Sequence, residues 1–149
     1  MKLMISDDIL SDFLFNNDIL DYIFRIHQLC IKKKINAYVY TKSLESILQN
    51  GNKSKNRMEI LSQYSILEEY LNIYDIVPED IPAISNLHRR SMGMPDGCDL
   101  KNKIVTACAE RFHADYILAK DISLFYESSI PAITPTEFYK IIKETLTNH

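Results

Sequence analysis

Ser6, Asp7 and Asp8 directly follow the apolar run Leu3-Met4-Ile5, and Thr41, Lys42, Ser43 and Glu45 follow Ala37-Tyr38-Val39-Tyr40. Asp121 comes just after Tyr116-Ile117-Leu118-Ala119, while Asp99 and Asn102 open the apolar stretch Ile104, Val105, Ala107, Cys108 and Ala109. In a fold that alternates strands with helices, the carboxyl ends of the strands share a crevice, and ligands bind there. Side-chain oxygens, most of them carboxylate, would line it. His88-Arg89-Arg90 is the best candidate for contact with a phosphate, because guanidinium forks match phosphate geometry. Each of these groups also has a plainer use. Asp8 and Asp99 suit helix caps, Glu45 and Asp121 suit a solvated surface, and Arg89 and Arg90 suit a helix end whose dipole favours cations.

Other chemistries lack their residues. The sequence has no Gly-rich phosphate loop and no nucleophile elbow. His27 and His113 fall on separate helical stretches without evident partners, which argues against a catalytic pair. Cys30, Cys98 and Cys108 are odd in number and lack metal-ligand spacing, so neither a disulfide framework nor a zinc site is indicated. A net charge of -3 supplies no global field for nucleic acid, and binding of that kind would need a local patch. Lys32-Lys33-Lys34 reads as a dipole-complementing helix end rather than as such a patch.

The elements that must position these groups follow from the pattern of apolar residues. Strands are expected at Lys2 to Ile5, Ala37 to Tyr40, Ile73 to Val77, Tyr116 to Ala119 and Pro131 to Ile133. Helices are expected at Asp8 to Phe15, Asn17 to Lys34, around Leu44 to Leu48, from Arg57 to Leu71, and after Pro78, where Pro82 should keep the helix short or bend it. Met92 to Gly97 reads as a loop. Thr134-Pro135-Thr136-Glu137 is a helix start, with Thr134 as cap and Pro135 tolerated in the first turn. Parallel strands need crossover connections, so this alternation implies a parallel sheet with helices on both faces. At 149 residues, 46% hydrophobic and 25% charged, with three Gly and five Pro, the chain is expected to fold throughout as one domain, residues 1–149. No apolar run has the length of a membrane span, and the amino terminus turns acidic too soon for a signal peptide, so a cytoplasmic protein without membrane partners is expected.

Over most of the chain these residues resemble the PIN domain, in particular its small forms such as the VapC toxins. The family opens with a strand ending in Asp, then Thr or Ser, then Asn, and Leu3-Met4-Ile5-Ser6-Asp7-Asp8-Ile9-Leu10-Ser11-Asp12 lies over that motif with Ser6 at the first acid. The second acid is present as Glu45. Asp99-Leu100-Lys101-Asn102 is similar to the third motif and places Asn102 at its acid, and Ala119-Lys120-Asp121 keeps the acid of the fourth while lacking its Thr. Ile130 to Phe138 resembles the family's carboxyl end.

The resemblance implies an α/β three-layer sandwich with a central, mostly parallel sheet of PIN-like fold. It also implies metal-dependent cleavage of RNA, in which acids hold magnesium or manganese, activate a water and neutralise charge at phosphorus. Glu45 and Asp121 would be the metal ligands and catalytic acids. Asp7, Asp8 and Asp99 would stand in for the charges missing at the degenerate positions Ser6 and Asn102. With those two charges absent, metal binding and cleavage are expected to be weak. The other reading is a catalytically inactive PIN-like module. Expected partners are RNA, an antitoxin or another protein, and a second copy in a homodimer.

Overall fold

The computed structural model describes residues 1–15, 35–51, 71–91 and 100–147, together with Met58, Ser62 and Ser65, which are helical. The expectations for residues 16–34, 52–57, 59–61, 63–64, 66–70 and 92–99, with Cys30, Lys32 to Lys34, most of the helix expected from Arg57 to Leu71, Cys98 and Asp99 among them, lie outside the described residues. Five strands are seen among the described residues: β1 (Lys2–Ile5), β2 (Asn36–Tyr40), β3 (Leu71–Tyr74), β4 (Tyr116–Leu118) and β5 (Ala132–Ile133). They form one sheet in the order β3-β2-β1-β4-β5, with every pairing parallel. The helices that flank it are α1 (Asp7–Phe15), α2 (Thr41–Gly51), α3 (Ile81–Ser91), α4 (Leu100–Arg111) and α5 (Pro135–Thr147).

This order fixes where a crevice can open. The chain lays β2 and β3 on one side of β1, then returns to lay β4 and β5 on the other. The winding therefore reverses between β1 and β4, the place where open parallel sheets part their loops. The seam is continuous below that point, with Met4 opposite Ile117 and Ile5 opposite Leu118, and Ser6 N donates to Leu118 O at 3.1 Å.

Successive strand residues point to opposite faces, and both faces are buried. Leu3, Ile5, Ala37, Val39, Leu118 and Ile133 form one core with Ile9 and Leu10 of α1, Leu44 of α2, and Phe138 and Ile142 of α5. Met4, Tyr40, Tyr74, Ile117 and Ala119 form the other with Ile104, Val105, Cys108 and Ala109 of α4 and with Phe125. The capping motif before α5 is in place, with Glu137 N donating to Thr134 Oγ1 at 3.3 Å and Pro135 as the first helical residue.

Three expectations are corrected. The third strand runs from Leu71 to Tyr74 rather than from Ile73 to Val77, because β2 selects the register Val39 with Ile73 and Tyr40 with Tyr74, and the ladder ends where β2 ends. Pro82 does not shorten its helix: it is the second residue of an 11-residue helix, where its missing N–H has no intrahelical partner to lose. His113 lies beyond α4, in the left-handed region at φ 52°, and the chain reverses there, with Ala114 N donating to Ala109 O at 2.9 Å.

A buried carboxylate ties α3 to α4. Asp80 ends the 3-10 turn Pro78–Asp80 and is 3% exposed. Its oxygens accept from Arg111 Nε at 2.8 Å, from Val77 N at 3.0 Å and from Cys108 Sγ at 3.6 Å. Arg111 also donates to Asp75 O at 3.2 Å and lies 4.3 Å from the centroid of the Phe112 ring. Removing the carboxylate strands a cation and an amide together. Asp80→Ala is therefore expected to cost about 3–5 kcal/mol in urea unfolding, and a loss below about 1 kcal/mol would show that the pair is not load-carrying.

Beside Asp80, burial first and then the carboxylate's charge push the Cys108 thiol from its ordinary 9.0 up to about 11. Burial likewise raises the Tyr74 phenol, and burial with the charge of Asp75 raises that of Tyr40. The native fold thus prefers all three groups neutral. For Cys108 that stability is present in full below pH 9.0 and is lost as pH climbs through about 11. The unfolding midpoint is expected to fall across that window, and Cys108→Ala is expected to flatten the fall; a Cys108→Ala curve parallel to wild type would contradict the assignment.

Candidate functional site at the strand carboxyl ends

Ser6 leaves β1 and caps α1, its carbonyl accepting from Leu10 N at 3.0 Å, and it is only 2% exposed. Its hydroxyl does not face the crevice as a free ligand but donates to Asp8 Oδ1. The other oxygen of Asp8, Oδ2, accepts from Lys120 N at 3.0 Å and from Asp121 N at 3.2 Å. One carboxylate therefore fastens the exit of β1 to the exit of β4, across the line where the winding reverses. Its position in the first turn of α1 adds a favourable interaction with that helix's dipole.

The neighbouring acids have partners of their own. Asp121 caps the 3-10 turn Ile122–Phe125, with Oδ1 accepting from Ser123 N at 3.2 Å and also from the Ser123 hydroxyl. Asp7 Oδ2 lies 3.5 Å from Lys101 Nζ at the start of α4. Glu45 pairs with Lys42 at 3.4 Å on the exposed side of α2, a contact of little energetic weight. The charges of Asp75, Glu45 and Asp7 all reach Tyr40 at the end of β2, where they add to burial in raising its phenol. The Tyr74 hydroxyl is buried nearby without a hydrogen-bond partner.

The candidates from sequence divide accordingly. Asp8 and Asp121 come together, Asp121 through its backbone N–H, while Asp7 and Glu45 share the surroundings of Tyr40. Asn102 is half-buried in the first turn of α4, its carbonyl accepting from Thr106 Oγ1 at 2.8 Å. Asp99 lies outside the described residues. Arg89 and Arg90 are exposed in the last turn of α3, and Arg89 donates to Asn86 Oδ1 at 3.4 Å. Among the described residues, no three His, Cys, Asp or Glu side chains gather as a metal site. Ser6 and Asn102 are neutral, and the described carboxylates face two lysines, hydroxyls and backbone amides. As arranged, the described residues do not fit a divalent cation.

Sequence reading missed Lys101, Lys103 and Asp80. Lys103 is buried between α3 and α4, with Nζ 3.2 Å from His88 Nδ1, so this histidine faces a lysine. The signal for Lys101 was its place directly beside Asn102. Nothing local marked Asp80, whose cation is Arg111.

No protein-family model matches the chain, and no curated protein matches it. Solved structures do. VapBC2 from Rickettsia felis, bound to a DNA fragment from its promoter, superposes with a TM-score of 0.71 at 15% identity, over 90% of this chain and 98% of that one. VapBC-1 from nontypeable Haemophilus influenzae gives 0.71 at 12% identity, over 91% and 99%. FitAcB from Neisseria gonorrhoeae gives 0.64 at 9% identity, over 90% and 98%. At such identities the likeness is one of architecture, and it extends over nearly the whole of both chains. The chain therefore has the α/β fold of the PIN and VapC type that its motifs resemble.

Proposed function

We propose that this chain is a PIN-type module that acts by binding a protein partner, in a two-protein assembly of the VapBC kind, rather than as a metal-dependent endoribonuclease. The observation that carries this reading is the carboxylate of Asp8, whose oxygens hold Ser6 and the amides of Lys120 and Asp121. Cleaving a phosphodiester with a metal ion requires carboxylate oxygens directed at the ion. Here the acid beside the degenerate Ser6 position joins two loops instead. The similar folds described as VapBC and FitAcB assemblies support a protein partner of the antitoxin kind. Ile122 and Leu124, one and three positions after Asp121, add exposed apolar side chains on this side of the crevice.

The test uses the protein purified from its own cells, where a second polypeptide at fixed stoichiometry is expected. With RNA and magnesium or manganese, wild type should release no more product than Glu45→Gln or Asp121→Asn. Asp8→Ala should instead cost about 2 kcal/mol of stability, the worth of lost hydrogen bonds to a charged group. Magnesium-dependent cleavage by wild type that falls about tenfold or more in both Glu45→Gln and Asp121→Asn would overturn this reading in favour of a weakened endoribonuclease.

A further inference from the structure

Lys101 sits in the first turn of α4, where the helix dipole disfavours a cation. Its ammonium lies 3.5 Å from Asp7 Oδ2, in the first turn of α1. One ion pair therefore joins two helix amino termini at the carboxyl edge of the sheet. The pair is partly enclosed, its side chains 37% and 33% exposed. Lys101 also directly precedes Asn102, so this turn of α4 offers an amide and an ammonium where the third PIN motif has an acid.

The consequence is electrostatic. A divalent ion approaching Asp7 meets a carboxylate already beside a compact positive charge, and like charges at such separations repel strongly.

We propose that Lys101 is the resident counter-ion of this crevice: its ammonium takes the place of a divalent cation at Asp7, so that the crevice balances its charge from within and refuses magnesium and manganese. This concerns the charge at Asp7 alone and goes beyond the binding role. It can fail while wild type remains silent on RNA, and it can hold in a chain that has no protein partner.

The experiment titrates manganese alone into wild type, Lys101→Arg, Lys101→Met and the double variant Lys101→Met with Asp7→Asn, reading free ion by electron paramagnetic resonance and the thermal midpoint in parallel. Wild type and Lys101→Arg should show no manganese-dependent shift. Lys101→Met should bind at least about tenfold more tightly, with a midpoint that rises by about 3 °C on adding the ion, and Asp7→Asn should abolish the gain. Lys101→Gln replaces Lys101→Met if that variant does not fold. Equal manganese affinity in wild type and Lys101→Met, or a gain that survives Asp7→Asn, would overturn the proposal.

Discussion

The geometry of the crevice depends on the carboxylate of Asp8. In a parallel sheet wound outward from β1 in both directions, the strands on either side of the reversal carry their chains away from each other. The ladder holds β1 to β4 up to the bond from Ser6 N to Leu118 O. Asp8 adds a link beyond it, and a charged acceptor on two amides is among the stronger hydrogen-bond arrangements available. Ser6 orients that carboxylate, and Ser6 is in turn fixed by its own backbone bonds to Leu118 and Leu10.

The charge pattern follows from this joint. With Asp8 turned toward the β4 side, Asp7 is left to Lys101, 3.5 Å away. Lys101 can reach Asp7 only because α4 is held against the sheet, and Asp80 with Arg111 anchors the far end of that helix. Ion pairs thus fix both ends of α4, the buried one for position and the half-exposed one for charge.

Much of the architecture was legible from residues. Strands β1, β2 and β4 and the start of α5 carry continuous apolar runs or a capping motif that local physics reads directly. The limits of β3 were not legible. Leu71 to Val77 offers overlapping apolar windows, and the choice between them is made by the partner strand, since Tyr40 pairs with Tyr74. The positions of Asp7, Asp8, Glu45 and Asp121 near strand ends were legible from where those apolar runs stop, but their partners were not. Backbone amides carry no residue type, so nothing in the sequence marks Lys120 N and Asp121 N as the acceptor's targets. Asp80 posed a related problem, because a buried acid becomes recognisable only once its cation, Arg111, is brought to it by the fold.

The most direct test of this account is a crystal structure of the chain soaked in manganese, with the anomalous signal of the ion as the readout. The account expects no manganese peak among Asp7, Asp8, Glu45 and Asp121, with Asp8 still accepting from the amides of Lys120 and Asp121. A manganese ion coordinated by Asp8 together with Glu45 or Asp121 would contradict it.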